Sequence, residues 1–310
     1  MKREERGGRR EEGGTIPWKV YSGGKEISEK VELVGILENE IGIFESLRTY
    51  GDRIFRERDH LERFLESART AGQSSPLLTA KQLHRELELA LKAFFSPTLT
   101  LPRNGGGENL ASLPLDGGGE GGGKDAFVRL TWWQNRIWVM VGRRKHPEAI
   151  YRRGVVLKTS PVKRSHSNAS PPEAKTTAYQ NALLASLEPR DEKIYEWLFL
   201  DANGYVTEVR IGNLFLIRDG IAFTPPIPGI LNGITRRVVI ECALQAGMGV
   251  KEIPLARHEV FNADEAFLTN TSWEILPVRE LDGRRIGSRC PGPVTLKLHN
   301  LFKRKTEESS

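Results

Sequence analysis

The chain has 310 residues, of which 38% are hydrophobic and 28% charged, a composition typical of a globular protein that can bury a sizeable core. Its 46 basic residues exceed its 40 acidic residues by six, and the excess is scattered, so it favours an anionic ligand only weakly. No helix-turn-helix or metal-finger spacing is present, which argues against nucleic-acid partners and predicts no metal site. The cysteines, Cys242 and Cys290, lie far apart, as expected of free thiols in a reducing compartment.

Two segments are predicted to lie outside any packed core. Residues 1–16 begin with alternating charges and glycines and contain no apolar run, so we expect a disordered tail rather than a signal peptide. Residues 96–125 are rich in Gly, Pro and Asn, and we expect a surface insertion. No stretch reaches the apolar length of a transmembrane helix, which predicts a cytoplasmic protein without a membrane partner.

The first half of the chain predicts two helices followed by a hairpin. Asp59, with Glu62 three residues later, is a candidate N-cap for the first helix, and Thr79 for the second. Two strands rich in Trp and Val then meet at Gln134-Asn135, which suits a tight turn.

The second half predicts a mixed, mainly antiparallel sheet with separate helices. A helix is expected from Thr176 to about Leu187 and another from Thr235 to Ala246, with a meander of strands between them. The predicted fold class is therefore α+β. We expect a small domain over residues 17–147, a large domain over 148–304 and a tail over 305–310.

Lys175 is predicted to be the last residue before a helix. The positive end of the helix dipole disfavours an ammonium there, so the pKa of Lys175 should be lowered. A partly deprotonated amine is what imine formation with an aldehyde requires. The alternative is an ordinary exposed lysine, which statistics on surface residues favour when the position is considered alone.

Glu208 lies in a short predicted strand, where alternation places it on the same face as Val206. A buried carboxylate needs a cationic partner, and the protonated ring nitrogen of a pyridine cofactor is one. The alternative is a surface glutamate paired with Arg210.

Three further places offer contacts to a phosphate. Gly233 precedes a predicted helix N-terminus with a hydroxyl at Thr235, where free N–H groups bind anions. A second hydroxyl-rich turn begins at Asn270, and Arg58 offers a guanidinium. Each also has an ordinary interpretation as a helix cap, a turn or a surface arginine.

Taken in order, these segments resemble the class IV aminotransferases, the fold type IV group of pyridoxal-phosphate enzymes, over residues 31–95 and 127–303. The resemblance implies the two-domain fold of the D-amino acid aminotransferase type. It is carried by IFRERDHLERFLESA, KTTAYQNALLA, DANGYVTEVRIGNLFLI, FTPPIPGILNGITRRVVI, ADEAFLTNTSWEILPV and DGRRIGSRCPGPVT.

The resemblance also implies a role for each candidate residue. Lys175 matches the catalytic lysine that carries pyridoxal 5'-phosphate as a Schiff base, Glu208 the partner of the pyridine nitrogen, and Tyr179 the partner of the ring hydroxyl. The implied phosphate contacts are Arg58, Ile234, Thr235, Asn270 and Thr271. Gly233 is in the turn that leads to Ile234, and Leu231 is the implied residue beneath the ring.

The activity that the resemblance implies is transfer of an amino group from an amino acid to a 2-oxo acid, in a homodimer. Branched-chain L-amino acids are favoured as donors. Two alternatives remain open, an aminodeoxychorismate lyase that releases pyruvate and 4-aminobenzoate, and a D-amino acid aminotransferase. The chain departs from the family pattern at Val209 and Arg210, and at Asn270, where many members have glycine.

Overall fold

The computed structural model describes residues 19–27, 41–73, 75–76, 78–96, 125–164, 171–178, 180–189 and 191–308. The expected tail (1–16), almost all of the expected insertion and Tyr179 lie outside these residues. Within them, no helix is long and apolar enough to cross a membrane, and no cluster of His, Cys, Asp and Glu has the composition of a metal site.

The first part of the chain forms an antiparallel six-stranded sheet with the strand order β2-β1-β6-β5-β3-β4. Its elements are β1 (Lys19–Ser22), β2 (Lys25–Glu26), β3 (Ile43–Tyr50), β4 (Arg53–Ile54), α1 (Glu57–Thr70), α2 (Ala80–Phe95), β5 (Phe127–Trp133) and β6 (Arg136–Gly142). The two helices cover one face of the sheet, and Phe64, Leu83 and Leu87 are fully enclosed there. Burial of each such side chain contributes about 1.5–3 kcal/mol.

Three local predictions for this part can be compared with the structure. Thr79 caps α2, because its hydroxyl accepts a hydrogen bond from Gln82 N at 3.3 Å. Gln134 and Asn135 both have positive φ, as a two-residue hairpin turn requires. The predicted cap at Asp59 is wrong, because α1 already begins at Glu57 and its N-cap, Arg56, has left-handed backbone and no side-chain cap.

The second part contains a closed ring of six strands, β10-β13-β14-β7-β8-β9, since β9 pairs with both β8 and β10. Its elements are α3 (Glu148–Arg153), β7 (Val155–Thr159), α4 (Gln180–Leu187), β8 (Glu196–Leu200), β9 (Val206–Val209), β10 (Gly212–Arg218), β11 (Ile221–Thr224), α5 (Ile234–Gln245), β12 (Val250–Glu252), α6 (Arg257–Phe261), β13 (Glu265–Asn270), β14 (Glu274–Leu281), β15 (Arg284–Arg285) and α7 (Pro293–Glu308). Only three strand pairs here are parallel, β11–β12, β14–β7 and β7–β8, among the residues that the structure describes. The α+β class with mainly antiparallel sheets is as predicted.

Two boundaries differ from the sequence-based expectation. The helix α4 begins at Gln180, not at Thr176, because residues 175–177 run alongside β3 as extended chain, with Thr176 bridged to Ile43. The helix α7 continues to Glu308, so residues 305–308 are not a tail. Thr306 is buried in this last turn, and packing therefore extends the helix beyond the predicted end.

Candidate active site

A cavity of about 940 Å³ is lined by residues of both sheets. Eight of the ten residues predicted for the site line it, namely Lys175, Glu208, Leu231, Gly233, Ile234, Thr235, Asn270 and Thr271. Of the other two, Tyr179 lies outside the described residues and Arg58 lies elsewhere on the surface. Segments that are distant in the sequence therefore meet in one place.

Lys175 is held by its backbone between β3 and α1. Its N–H donates to Ser67 Oγ at 2.9 Å, and its carbonyl accepts from Phe44 N at 3.1 Å. The amine lies 4.6 Å from the centre of the Phe44 ring. Because α4 starts five residues later, the helix dipole invoked from the sequence does not act on this lysine.

The pKa of Lys175 is nevertheless lowered, to about 8. Burial of the amine is the first cause, and the guanidiniums of Arg63 and Arg129 act in the same direction. The carboxylates of Glu45 and Glu208 oppose the shift. An appreciable fraction of Lys175 is therefore a neutral, nucleophilic amine near neutral pH.

Glu208, on β9, is a buried carboxylate with several partners. Its Oε1 lies 2.6 Å from an Arg164 Nη, and its Oε2 accepts from Leu231 N at 3.1 Å and from Asn213 Nδ2 at 3.2 Å. Burial raises the pKa of Glu208, although Arg164 and the Leu231 N–H act against the shift. The pairing with Arg210 considered from the sequence does not occur, because Arg210 binds Glu196 at 3.0 Å.

Asn213 and Arg164 were not identified from the sequence. Asn213 follows Glu208 by five residues and pairs with it across β9 and β10, so strand register brings the two side chains together. Its amide also donates to Leu231 O at 2.9 Å. A polar residue inside the apolar run NLFLI was the only local signal for Asn213.

The arginine at the cavity is Arg63, and the structure corrects the assignment of Arg58. The Arg58 side chain is 91% exposed and pairs with Glu62 one turn along the same helix. Arg63 is 9% exposed, lines the cavity and donates from Nη1 to Asn232 O at 2.8 Å. The two positions are five residues apart on α1 and so point about 140° apart around the helix axis.

The N-terminus of α5 lies at the cavity, where the sequence predicts an anion site. Gly233 is its N-cap and has no side chain to satisfy the first N–H groups, and the first turn contains no acidic residue. Thr235, a largely buried residue that lines the cavity, lies in the same turn. Any Cβ at position 233 would collide with Asn213 Oδ1, so only glycine allows this approach.

The turn between β13 and β14 completes this end of the cavity with Thr271 and Ser272. Asn270 organises the turn, because its Oδ1 accepts from Ser272 N at 2.9 Å and Trp273 N at 2.6 Å. Its Nδ2 donates to Ile211 O at 2.9 Å. The Asn270 side chain thus shapes the turn, where many relatives were expected to have glycine.

Taken together, the lining residues suit one kind of ligand. A nucleophilic amine matches a carbonyl, the buried Glu208 carboxylate matches a protonated ring nitrogen, and the helix N-terminus with Arg63 matches a phosphate. Thr269 also lines the cavity, and its Oγ1 is buried without a hydrogen-bond partner among the described residues.

Known proteins share both the sequence pattern and the fold. The family model for amino-transferase class IV matches residues 42–281. The branched-chain-amino-acid aminotransferase of Pseudomonas aeruginosa is 32% identical over 281 residues, which are 87% of this chain and 85% of that protein.

Two solved structures superimpose over nearly the whole chain. The T.th. branched-chain amino acid aminotransferase with pyridoxamine 5'-phosphate has a TM-score of 0.76 and 26% identity, covering 93% of each chain. The branched-chain aminotransferase of Thermoproteus uzoniensis with norvaline has a TM-score of 0.74 and 28% identity, covering 94% of this chain and 96% of that one.

These matches cover most of the chain, and the described fold is that of fold type IV enzymes. The chain belongs to the class IV aminotransferase family. It is an enzyme, a transaminase.

Proposed function

We propose that this transaminase uses pyridoxal 5'-phosphate held on Lys175 and transfers the amino group of a branched-chain L-amino acid to a 2-oxo acid. The observation that carries the proposal is the lowered pKa of the Lys175 amine in a cavity that it shares with Glu208 and an anion site. The cofactor would supply an aldehyde and an electron-withdrawing pyridine ring.

Each residue of the cavity has a proposed task. Lys175 Nζ would hold the cofactor aldehyde, and its amine would also be the base that accepts the proton of the substrate Cα. Glu208, kept in place by Arg164 and Asn213, favours a protonated ring nitrogen. The phosphate would be bound by Arg63, Thr271 and the first turn of α5 with Thr235, and Leu231 would pack against the ring, since all of these residues line the cavity.

The proposed donor rests on the relatives and on the cavity wall. The relatives named above are branched-chain aminotransferases, which favours amino transfer over the lyase alternative. Apolar side chains on the wall suit an aliphatic substrate, and they include Phe44, Phe127, Met140 and Ile211. The guanidiniums of Arg129 and Arg144 on the same wall suit the carboxylates of an amino acid and a 2-oxo acid.

The test combines a covalent and a kinetic measurement on the purified protein with added pyridoxal 5'-phosphate. Borohydride reduction followed by peptide mass spectrometry should place the cofactor on Lys175, and Lys175→Ala should abolish both this label and glutamate formation from 2-oxoglutarate. Lys158→Ala, at an exposed position of β7, is the matched control and should behave as native. Absence of any label on the native protein would overturn the cofactor assignment.

The rates of glutamate formation with different amino donors then identify the substrate class. L-leucine and L-valine should give glutamate faster than D-alanine, with the parallel-line kinetics of two alternating half-reactions. Faster turnover of D-alanine would assign the D-amino acid activity instead. Release of pyruvate from aminodeoxychorismate, without glutamate formation, would assign the lyase.

We also propose a homodimer in which one face of α4 is covered. Leu183, Leu184 and Leu187 are 50%, 49% and 73% exposed, and Leu183 also lines the cavity. Such an apolar patch is typical of a protein interface. Sedimentation should give a dimer that Leu187→Glu weakens and Leu244→Glu, at an exposed leucine of α5, leaves intact.

A further inference from the structure

Glu274 is the first residue of β14 and lies directly after the turn that carries Thr271. It is buried, yet it is a charged residue with left-handed backbone, at a φ of +62°. Asn270 and Glu274 pair across the hairpin, so Glu274 closes the three-residue turn 271–273. Glycine is the usual residue at such a position, and a glutamate there is strained.

The contacts of the Glu274 carboxylate offset this backbone strain, and they join β14 to β3 and to α7. Oε1 accepts from Arg48 Nη1 at 2.7 Å and from Tyr50 OH at 2.9 Å, both on β3 of the first sheet. Oε2 lies 2.9 Å from His299 Nε2 on α7. One side chain therefore ties the turn to the first sheet and to the C-terminal helix.

The same partners lie directly behind the proposed phosphate contacts. A small cavity, with room for about one water molecule, is lined by Arg48 and Tyr50 together with Thr235 and Thr271. A second tie acts on the turn itself, because His146 Nε2 lies 2.7 Å from Ser272 Oγ. The partners of Glu274 and the two threonines therefore border the same small space.

We propose that Glu274 is a positioning residue, which sets the 271–273 turn for the cofactor phosphate and couples phosphate binding to the contact between the two sheets. This inference rests on the proposed function, since it needs a phosphate at Thr235 and Thr271. Glu274 itself does not line the main cavity and is not proposed to touch the cofactor.

The decisive experiment compares pyridoxal 5'-phosphate with pyridoxal, which lacks the phosphate. Dissociation constants are measured by absorbance titration of the cofactor-free protein, native and Glu274→Gln. In the variant, the dissociation constant of pyridoxal 5'-phosphate should rise about tenfold and that of pyridoxal less than about twofold. The two differ because only the phosphate contacts the turn. The matched control is Glu280→Gln, on the same strand, which should change neither constant.

Tyr50→Phe keeps the proposal testable if Glu274→Gln does not fold. This substitution removes one hydrogen bond to Glu274. It should lower the affinity for pyridoxal 5'-phosphate by about threefold and leave the affinity for pyridoxal unchanged. Equal weakening of both ligands, or no weakening, would overturn the role of Glu274. A native protein that binds neither ligand overturns the proposed function, and this inference with it.

Discussion

Arg63 and Glu45 form a buried two-point ion pair, with Nε to Oε2 at 2.9 Å and Nη2 to Oε1 at 2.6 Å. Burial by itself would raise the pKa of Glu45, but Arg63, followed by His60, holds it well below its usual range. The third contact of the guanidinium, to Asn232 O, fixes its plane. Within the part of the chain that the structure describes, these contacts use three of the five N–H groups of Arg63, and we expect the other two to bind an anion.

The first prediction separates Arg63 from Arg58. Arg63→Lys keeps the charge but loses the planar fork, so the affinity for pyridoxal 5'-phosphate should fall at least about tenfold. Arg58→Lys, at an exposed site, should leave it unchanged. Fluorescence titration of the cofactor-free proteins measures both constants, and the opposite ranking would restore Arg58 as the phosphate ligand.

The second prediction concerns the charge of Glu208. Glu208→Gln should lower kcat by about 100-fold, because a neutral amide no longer favours a protonated ring nitrogen. Glu196→Gln is a matched control, since Glu196 is also a buried strand carboxylate with an arginine partner but does not line the cavity. Steady-state rates with saturating cofactor compare the two, and equal losses would show a structural effect only.

The third prediction tests the close approach at Gly233. Gly233→Ala forces a methyl group against Asn213 Oδ1, so we expect a loss of about 2 kcal/mol in the free energy of unfolding and weaker cofactor binding. Gly249→Ala places its methyl group in ordinary contact with Ile221 and should retain native binding. Urea unfolding with and without pyridoxal 5'-phosphate measures both effects. Native-like binding by Gly233→Ala would contradict the tight turn.

The fourth prediction follows from the pKa of Lys175, which is about 8 in the folded protein against an ordinary value of 10.5. Between these values the unfolded chain binds more protons than the folded one, so the stability of the cofactor-free protein rises with pH. Below about pH 8 the folded protein carries a desolvated ammonium at Lys175, which lowers its free energy of unfolding. The Lys175 residue as a whole is only half-buried, so solvent reduces this penalty. Lys175→Met should therefore be more stable than native at pH 7 by on the order of 2 kcal/mol.

The check is urea unfolding of both cofactor-free proteins from about pH 7 to about pH 10, the range over which the amine titrates. The stability difference between Lys175→Met and native should shrink as the pH rises through 8 towards 10.5. A difference that stays constant over this range would mean that the native amine is not desolvated.

Much of the site was predictable because its residues lie in short local patterns. Gly233 before a helix and hydroxyls at Thr235 and Thr271 are features of a few neighbouring residues, and local geometry decides them. Lys175 and Glu208 were ambiguous from the residues alone, and only their order among the other motifs made them candidates for the site. The structure adds that they share a cavity.

Directions of side chains and contacts between distant strands were decided only by tertiary structure. Local sequence does not state which arginine of α1 faces the cavity, because that depends on how the helix packs on β3. The lowered pKa of Lys175 was expected, but its cause is burial and neighbouring guanidiniums rather than a helix dipole. Strand pairing and chain packing bring Asn213 and Arg164 to Glu208. Packing between the two sheets brings Arg48 and Tyr50 to Glu274. Such contacts depend on the whole sequence and not on any short segment of it.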